Sequence, residues 1–241
     1  MESSHSTLTL VFDSSKQVFA SLINKTKKQM TTIILDNGHG IDTPGKRSPW
    51  SACKVKPELE FFEWKYNREL IPLLINALCP EGFEVLQLVS EDNDVALSER
   101  VRRINNKVKD NASRGKRTVL ISLHNNAASK GDKWTTARGW SAWTTRGQNN
   151  SDKLADCLYE AADKILPPLG QKVRKDRSDG DDDYEANFYI LKGANCPAVL
   201  IEQMFQDNIE DVKWLLTDEG KNALVEIVKE GVKSFVEKMK W

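Results

Sequence analysis

The chain has 241 residues, and its 35 Lys and Arg balance its 35 Asp and Glu, so the formal net charge is zero. This neutrality excludes the basic electrostatic signature of a nucleic-acid-binding protein. With 39% hydrophobic and 29% charged residues, the composition is that of a globular domain and not of a collagen-like or disordered chain. No run of about 18 apolar residues is present, so the sequence predicts no membrane span.

The first thirty residues differ in pattern from the rest of the chain. Glu2 and the polar run that follows it do not form the basic region of a secretory signal peptide, so we expect synthesis in the cytoplasm without Sec-type export. Leu8, Leu10 and Phe12 alternate with polar residues over a short stretch only. We therefore interpret residues 1–30 as an N-terminal appendage and residues 31–241 as a single domain.

The domain alternates strand patterns with helix patterns. The predicted elements of its first half are a strand at 31–35, a long helix at 61–78 that contains Pro72, a strand at 83–88, a helix that begins near Ser98, and a strand at 118–123. Those of its second half are a strand at 139–143, a helix at 151–165, a strand or strand end at 188–191, a strand at 198–201, and a final helix over 224–239. This alternation predicts an α/β domain with a mostly parallel sheet flanked by helices.

Three residues with useful chemistry each follow a predicted strand. His39 comes after the first strand, His124 after the strand at 118–123, and Glu202 after the strand at 198–201. In α/β folds, ligands bind beyond the carboxyl ends of the strands. The three side chains are therefore predicted to lie near one another.

Two histidines and a glutamate suit zinc, because three protein ligands leave a fourth position open for water. Glu63, on the helix after the first loop, is a plausible third ligand to join His39 and His124, and Glu60 is a competing carboxylate. Glu202 is then predicted to act as the general base. The pattern alone leaves another interpretation open, in which each histidine only bonds backbone groups at a strand end.

Four motifs occur together in one order. They are Asp36-Asn-Gly-His39-Gly, Glu63 with Asn67 four residues on, Ser122-Leu-His124-Asn-Asn-Ala127, and Pro197-Ala-Val-Leu-Ile-Glu202. In this order the chain, over about residues 31–241, resembles the zinc-dependent N-acetylmuramoyl-L-alanine amidases of the amidase-3 branch, which include cell-wall remodelling enzymes and phage endolysins. The chain has Asn37, Asn125 and Gln203-Met204 where that family usually has Pro, Ala and Thr-Gly.

The resemblance implies the function and the site. His39, Glu63 and His124 are expected to bind Zn²⁺, and Glu202 is expected to be catalytic. The implied fold is a twisted, mostly parallel sheet flanked by helices, with residues 31–241 as the catalytic domain. The implied substrate is peptidoglycan, cut between N-acetylmuramic acid and the first L-alanine of the stem peptide.

The biological setting follows from the same resemblance. A phage lysis enzyme or a virion-associated enzyme would reach the cell wall without a signal peptide, and residues 1–30 are a possible contact with a phage or virion partner. Two alternatives to the amidase activity stay open. One is an inactive amidase-like module that binds the wall or serves the virion structurally, and the other is a zinc peptidase that cuts a different amide.

Two further features have more than one interpretation. The acidic segment 179–185 resembles a calcium loop, but Tyr184 stands where an EF-hand needs Gly, so we expect a solvated acidic loop that rims the cleft. Trp134, Trp140 and Trp143 could stack on sugar rings, although packing within strands is the commoner use of such residues.

Overall fold

The computed structural model describes residues 30–50, 54 and 56–241. The predicted appendage therefore lies outside the described residues, apart from Met30. Within the described part of the chain, no helix combines the length and the apolar character needed to cross a membrane.

Six strands form one sheet. In chain order they are β1 (Thr31–Asn37), β2 (Glu84–Gln87), β3 (Arg117–Asn126), β4 (Ser141–Thr144), β5 (Tyr184–Glu185) and β6 (Ala198–Phe205). Their order across the sheet is β2-β1-β3-β6-β4-β5. All neighbouring pairs are parallel except β4 with β6, which is antiparallel. The sheet is therefore mostly parallel, as the sequence predicts.

Helices cover both faces of this sheet. They are α1 (Glu63–Leu78), α2 (Leu97–Ser113), α3 (Asn150–Ile165), α4 (Tyr189–Gly193), α5 (Ile209–Leu215) and α6 (Asp218–Lys238). One core cluster joins β1, β3 and β6 to α1, α3 and α6, through residues such as Leu35, Leu74 and Phe235. A second cluster joins the other face to α2 and α4, through Ile34 and Ile104. The α/β fold class is thus confirmed.

The central strands are buried on both faces. Every residue of β1 is buried, and β3 and β6 are buried over most of their length. Strands of parallel sheets covered by helices on both sides are continuous apolar runs, which explains the Thr31–Leu35 and Ala198–Ile201 patterns. The polar residues that interrupt these runs near their carboxyl ends therefore stand out as candidates for function.

Two features of the chain differ from the sequence-based expectations. Tyr189–Gly193 is a short helix and not a strand, because Ile190 and Leu191 pack on the second core cluster while Tyr189 is 56% exposed. The strands β3 and β6 also extend further than predicted, to Asn126 and Phe205. His124 and Glu202 therefore lie within strands, whereas only His39 lies beyond a strand end.

Candidate metal centre

His39, Glu63 and His124 converge at the carboxyl end of the sheet. His39 follows β1, Glu63 is the first residue of α1, and His124 lies near the end of β3. One possible ligand atom from each residue lies within 4.8 Å of the other two. Residues that are 24 and 61 positions apart along the chain are thus brought into one cluster, as the sequence predicts.

Glu63 is the centre of this cluster. Its Oε1 lies 3.1 Å from His124 Nδ1 and 3.4 Å from His39 Nε2, and it accepts a 2.9 Å hydrogen bond from the backbone N–H of Asn125. The two imidazole rings meet edge to face, with centroids 4.8 Å apart. Both rings are about one-sixth exposed, at 16% and 17%, so a ligand can approach them from solvent.

The electrostatics of the cluster favour metal-binding forms of Glu63 and His39 but not of His124. Burial opposes ionisation of Glu63, but the hydrogen bond with His124 and the close contact with His39 together outweigh burial and hold the pKa of Glu63 well below its usual value. Burial also lowers the pKa of His39, which favours its neutral imidazole. Burial acts to lower the pKa of His124 as well, but the hydrogen bond with Glu63 outweighs this effect, so the pKa of His124 is raised.

The residues present fit a zinc ion. Zinc is commonly bound by histidine nitrogens and carboxylate oxygens, and His₂Glu sets leave an open position. His39 Nε2 and Glu63 Oε2 are buried and have no hydrogen-bond partner among the described residues. Buried polar atoms without partners are rare in proteins, and a missing ion is one of their ordinary explanations.

Glu202 lies beside the cluster on the neighbouring strand. It is the direct register partner of His124 in the parallel pair of β3 and β6. Its Oε2 is buried and accepts no hydrogen bond from any described residue. Burial raises the pKa of Glu202 to about 8, an effect that His124 opposes. A carboxylate in this setting is a much stronger base than a solvated glutamate.

Gly38 makes the close approach of the two histidines possible. Its N–H donates a 3.1 Å hydrogen bond to Leu123 O, which continues the pairing of β1 with β3. A Cβ atom at this position would lie only 2.3 Å from Cε1 of His124. His39 itself has a φ of 66°, a left-handed conformation that non-glycine residues rarely adopt.

Two polar side chains hold the backbone beneath the cluster. Asn67 on α1 donates a 2.8 Å hydrogen bond to Leu123 O, and its Oδ1 accepts a 2.8 Å bond from Gln203 Nε2 on β6. Both side chains are buried, with at most 2% exposure. The Gln203 that departs from the usual family sequence therefore connects β6 to α1 directly below His124.

Two arginines support the carboxyl end of β1 and the loop that follows it. Arg100 is 2% exposed and forms a 2.6 Å ion pair with Asp36, whose other oxygen accepts a 2.6 Å bond from Ser122. Arg68 donates a 3.1 Å hydrogen bond to the carbonyl of His39. Sequence reasoning did not assign a role to either arginine, because both act through partners that are remote along the chain.

The structure shows where Glu60 and two of the three candidate tryptophans lie. Glu60 is 46% exposed and pairs with Arg47 at 3.0 Å, so it is not part of the cluster. Trp140 is 1% exposed and packs on Tyr159, and Trp143 stacks on Tyr184 at 4.7 Å. These two tryptophans pack within the fold.

Comparison with known proteins assigns the chain to a family. The amidase-3 pattern, described as N-acetylmuramoyl-L-alanine amidase, matches residues 33–234. The chain belongs to the amidase-3 family. The matched region contains His39, Glu63, His124 and Glu202, and the family consists of N-acetylmuramoyl-L-alanine amidases, which are hydrolases.

The relatives of this amidase-3 chain include phage and bacterial proteins. An endolysin of Bacillus phage SPP1 is 26% identical over 200 residues, which are 82% of this chain and 63% of that protein. The chain thus spans less than two thirds of that relative's length.

Solved structures of family members share the fold. An N-acetylmuramoyl-L-alanine amidase from Clostridium difficile 630 matches with a TM-score of 0.67 at 22% identity, over 87% of this chain and 98% of that one. The catalytic domain of CwlV, an N-acetylmuramoyl-L-alanine amidase from Bacillus (Paenibacillus) polymyxa var. colistinus, matches with a TM-score of 0.67 at 20% identity, over 86% and 99%.

Proposed function

We propose that this protein is a zinc-dependent peptidoglycan amidase, which hydrolyses the amide bond between N-acetylmuramic acid and the first L-alanine of the stem peptide. The observation that carries the proposal is the convergence of His39, Glu63 and His124 beside Glu202, in a chain of the amidase-3 family. The family supplies the substrate class, and the cluster supplies the chemistry.

The metal is proposed to bind His39, Glu63 and His124. Neutral His39 and ionised Glu63 are the protonation states that such binding needs, and the pKa directions of these two residues favour them. When bound, zinc would act as a Lewis acid, which polarises a carbonyl and lowers the pKa of a water molecule.

Glu202 is proposed to move the proton. Its carboxylate takes the proton of the attacking water and then gives it to the nitrogen of the leaving amine, so that the amide cleaves to an acid and an amine. The burial that raises the pKa of Glu202 to about 8 makes the group able both to accept and to return this proton near neutral pH.

The backbone around Glu63 and Gly38 keeps these groups in position. The N–H of Asn125 fixes Glu63 Oε1, and the pairing of Gly38 with Leu123 fixes the loop that carries His39. Because reacting groups must be held in one geometry to act together, these contacts are expected to matter for turnover as well as for stability.

An endolysin role is proposed as the biological setting. The support is the 26% identity to the endolysin of a Bacillus phage. We further propose residues 31–241 as the catalytic domain, and residues 1–30 as the segment that contacts a phage or virion partner. Cell-wall digestion by a chain that lacks residues 1–30, compared with digestion by the full chain, tests whether residues 31–241 are the catalytic domain.

The activity is tested by digestion of purified peptidoglycan with the zinc-loaded full chain, followed by mass spectrometry of the products. We expect free stem peptides with an L-alanine amino terminus. Glu202→Gln should lower kcat by about 10²–10⁴-fold, because the proton acceptor is lost. Glu60→Gln, which removes a nearby exposed carboxylate, is the matched control and should keep wild-type turnover.

Three results would count against the proposal. Products cut at another amide would identify a zinc peptidase of different specificity. Wall binding without any cleavage would favour a binding or structural module. Full activity in the Glu202→Gln variant would remove this residue from the mechanism.

A further inference from the structure

A second group of carboxylates lies near the outer edge of the sheet, on the β4 and β5 side. Asp152 is in the first turn of α3, and Asp181 and Asp183 are in the segment that leads to β5. One oxygen from each carboxylate lies within 4.8 Å of the other two. The sequence predicts a solvated loop here, but Asp183 is only 1% exposed and Asp152 only 2%.

Two oxygens of this carboxylate cluster have no donor. Asp183 Oδ1 and Asp181 Oδ1 are buried, and neither forms a hydrogen bond with any residue that the structure describes. The Asp183 side chain points into the cluster, since its other oxygen lies 2.6 Å from the Thr144 hydroxyl that also contacts Asp152. A buried carboxylate oxygen without a donor is costly unless a cation compensates it.

The Thr144 hydroxyl cannot satisfy the oxygens around it. Its Oγ1 lies 2.6 Å from Asp183 Oδ2 and 3.0 Å from Asp152 Oδ1, and one hydroxyl carries a single proton. At most one of these carboxylate oxygens therefore receives a hydrogen bond at any time. The cluster has more acceptors than donors, which is the arrangement of oxygen ligands around a cation.

Neighbouring cations do not neutralise the cluster. Lys175 and Arg177 pair instead with Asp182, at 2.7 and 2.9 Å. Within the described ranges, none of the three carboxylates forms an ion pair with a lysine or arginine. The start of α3 accounts for only one of the charges, because the Asn149 N–H caps Asp152.

The protonation of Asp183 reflects this imbalance. Burial raises its pKa to about 7, the hydrogen bond from Thr144 opposes the rise, and the charges of Asp181 and Asp152 add to it. Without a cation, the cluster must hold either a proton or close like charges near neutral pH. A divalent ion would remove that conflict.

We propose that Asp152, Asp181 and Asp183 form a calcium site, separate from the candidate metal centre. Oxygen-only ligands suit a hard cation such as Ca²⁺ and do not suit zinc, which prefers nitrogen and sulfur. Each carboxylate group can supply one or two oxygen ligands, and water can complete the 6–8 ligands that Ca²⁺ takes at about 2.3–2.6 Å.

The ion has a path from solvent. An open depression of about 720 Å³, lined in part by Gln148, Asp179 and Asp181, reaches the carboxylate cluster at Asp181. A bound ion would join the start of α3 to the segment before β5. That segment continues into α4, whose Ile190 lines the cleft beside His39 and His124. The site would thus stabilise one wall of the cleft, and it does not depend on the proposed function.

The proposal is tested by calorimetric titration of CaCl₂ into the metal-stripped full chain. We expect saturable binding to one site, with Asp183→Asn and Asp181→Asn weakening it by at least tenfold. Asp179→Asn removes an exposed charge from the same segment but outside the carboxylate cluster, and should bind like the wild type. His124→Ala should also keep calcium binding, which separates this site from the metal centre.

Thermal unfolding without added metal checks that the variants fold. Asp183→Asn should unfold at the wild-type temperature or above it, because an amide adds a donor to an oxygen-rich cluster and removes a charge. In 10 mM Ca²⁺ the midpoint of the wild type should rise by about 2–5 °C, and that of Asp183→Asn should not.

Several outcomes would overturn the proposal. They are the absence of calcium binding by the wild type, undiminished binding by both Asp183→Asn and Asp181→Asn, and loss of calcium binding in His124→Ala. If the wild type binds no calcium, a shared proton alone balances the charge of the carboxylate cluster.

Discussion

Gly38 lies between the end of β1 and His39, and its missing side chain leaves the space that the His124 ring occupies. In Gly38→Ala, the new Cβ would fall 2.3 Å from Cε1 of that ring, so the ring or the β1 end must move. We expect this variant to lose most of its zinc affinity and amidase activity. Zinc titration and peptidoglycan digestion measure the two effects.

Gly82→Ala is the control for backbone strain. Unlike Gly38, Gly82 has a left-handed backbone, with a φ of 89°, and an added Cβ there meets no atom within 4 Å. A left-handed alanine costs about 1–2 kcal/mol, so Gly82→Ala should lose stability while keeping zinc affinity. Equal loss of zinc affinity in both variants would contradict the role given to the close contact at Gly38.

The choice between Glu60 and Glu63 shows what the sequence leaves undecided at this scale. Both carboxylates precede or begin the same helix, and spacing to the histidines cannot separate them. The structure separates them because α1 begins at Glu63 and directs this residue inward, to 0% exposure, while Glu60 stays outside and pairs with Arg47. The phase of a helix at its first turn depends on tertiary packing, and sequence periodicity does not fix it to one residue.

At the scale of elements, Asn67 and Gln203 connect α1, β3 and β6. In Asn67→Ala, the buried Gln203 amide would lose its 2.8 Å acceptor, and the Leu123 carbonyl would keep only the 3.1 Å hydrogen bond from the Gly38 N–H. Unsatisfied buried groups of this kind cost about 1–3 kcal/mol, so the free energy of unfolding should fall by that amount in urea denaturation.

Asn106→Ala on α2 provides the comparison. Asn106 is exposed and forms none of the side-chain hydrogen bonds found in the described structure, and alanine is the better helix former. Its stability should be unchanged or slightly higher. A stability loss for Asn67→Ala no larger than that of Asn106→Ala would show that the buried pair contributes nothing.

Besides its backbone pairing with β1, the edge strand β2 contacts Lys107 and Lys116 through Glu84. Hydrogen bonds from Lys107 and Lys116 lower the pKa of Glu84 from 4.5 to about 2. A carboxyl whose folded-state pKa is depressed stabilises the protein above its unfolded pKa, and this contribution is lost as the pH falls from 4.5 towards 2.

Glu84→Gln tests this contribution. Because the side chain is 31% exposed and screened by solvent, we expect the variant to be less stable by about 1 kcal/mol at pH 7. The difference from the wild type should shrink steadily as urea denaturation is repeated between pH 4.5 and pH 2. A difference that stays the same over this range would rule out the ion pairs as its cause.

The segment around α4 shows where sequence patterns fail for a whole element. Four apolar residues at 188–191 fit a short strand as well as a helical turn, and periodicity cannot distinguish the two over such a length. The two-residue strand β5 and the seven-residue helix α5 were not predicted at all, since such short elements carry little pattern of their own. Tertiary packing decides their form.

At the scale of the whole molecule, the fold class and the convergence of the candidate ligands could be predicted. Alternating strands and helices imply a parallel sheet, and parallel strands bring their carboxyl ends to one edge, where His39 and His124 lie. The burial of Asp183 could not be predicted, because an acidic segment gives no sign of the packing that covers it.

The central claim is that His39, Glu63 and His124 bind one zinc ion and that Glu202 is not a ligand of this ion. The zinc content of the protein tests this claim most directly. Elemental analysis of purified, zinc-saturated and desalted protein should find one zinc per chain in the wild type and in Glu202→Gln. Glu63→Gln and His124→Ala should lose it. Wild-type zinc content in both of these variants, or no zinc in the wild type, would contradict the account.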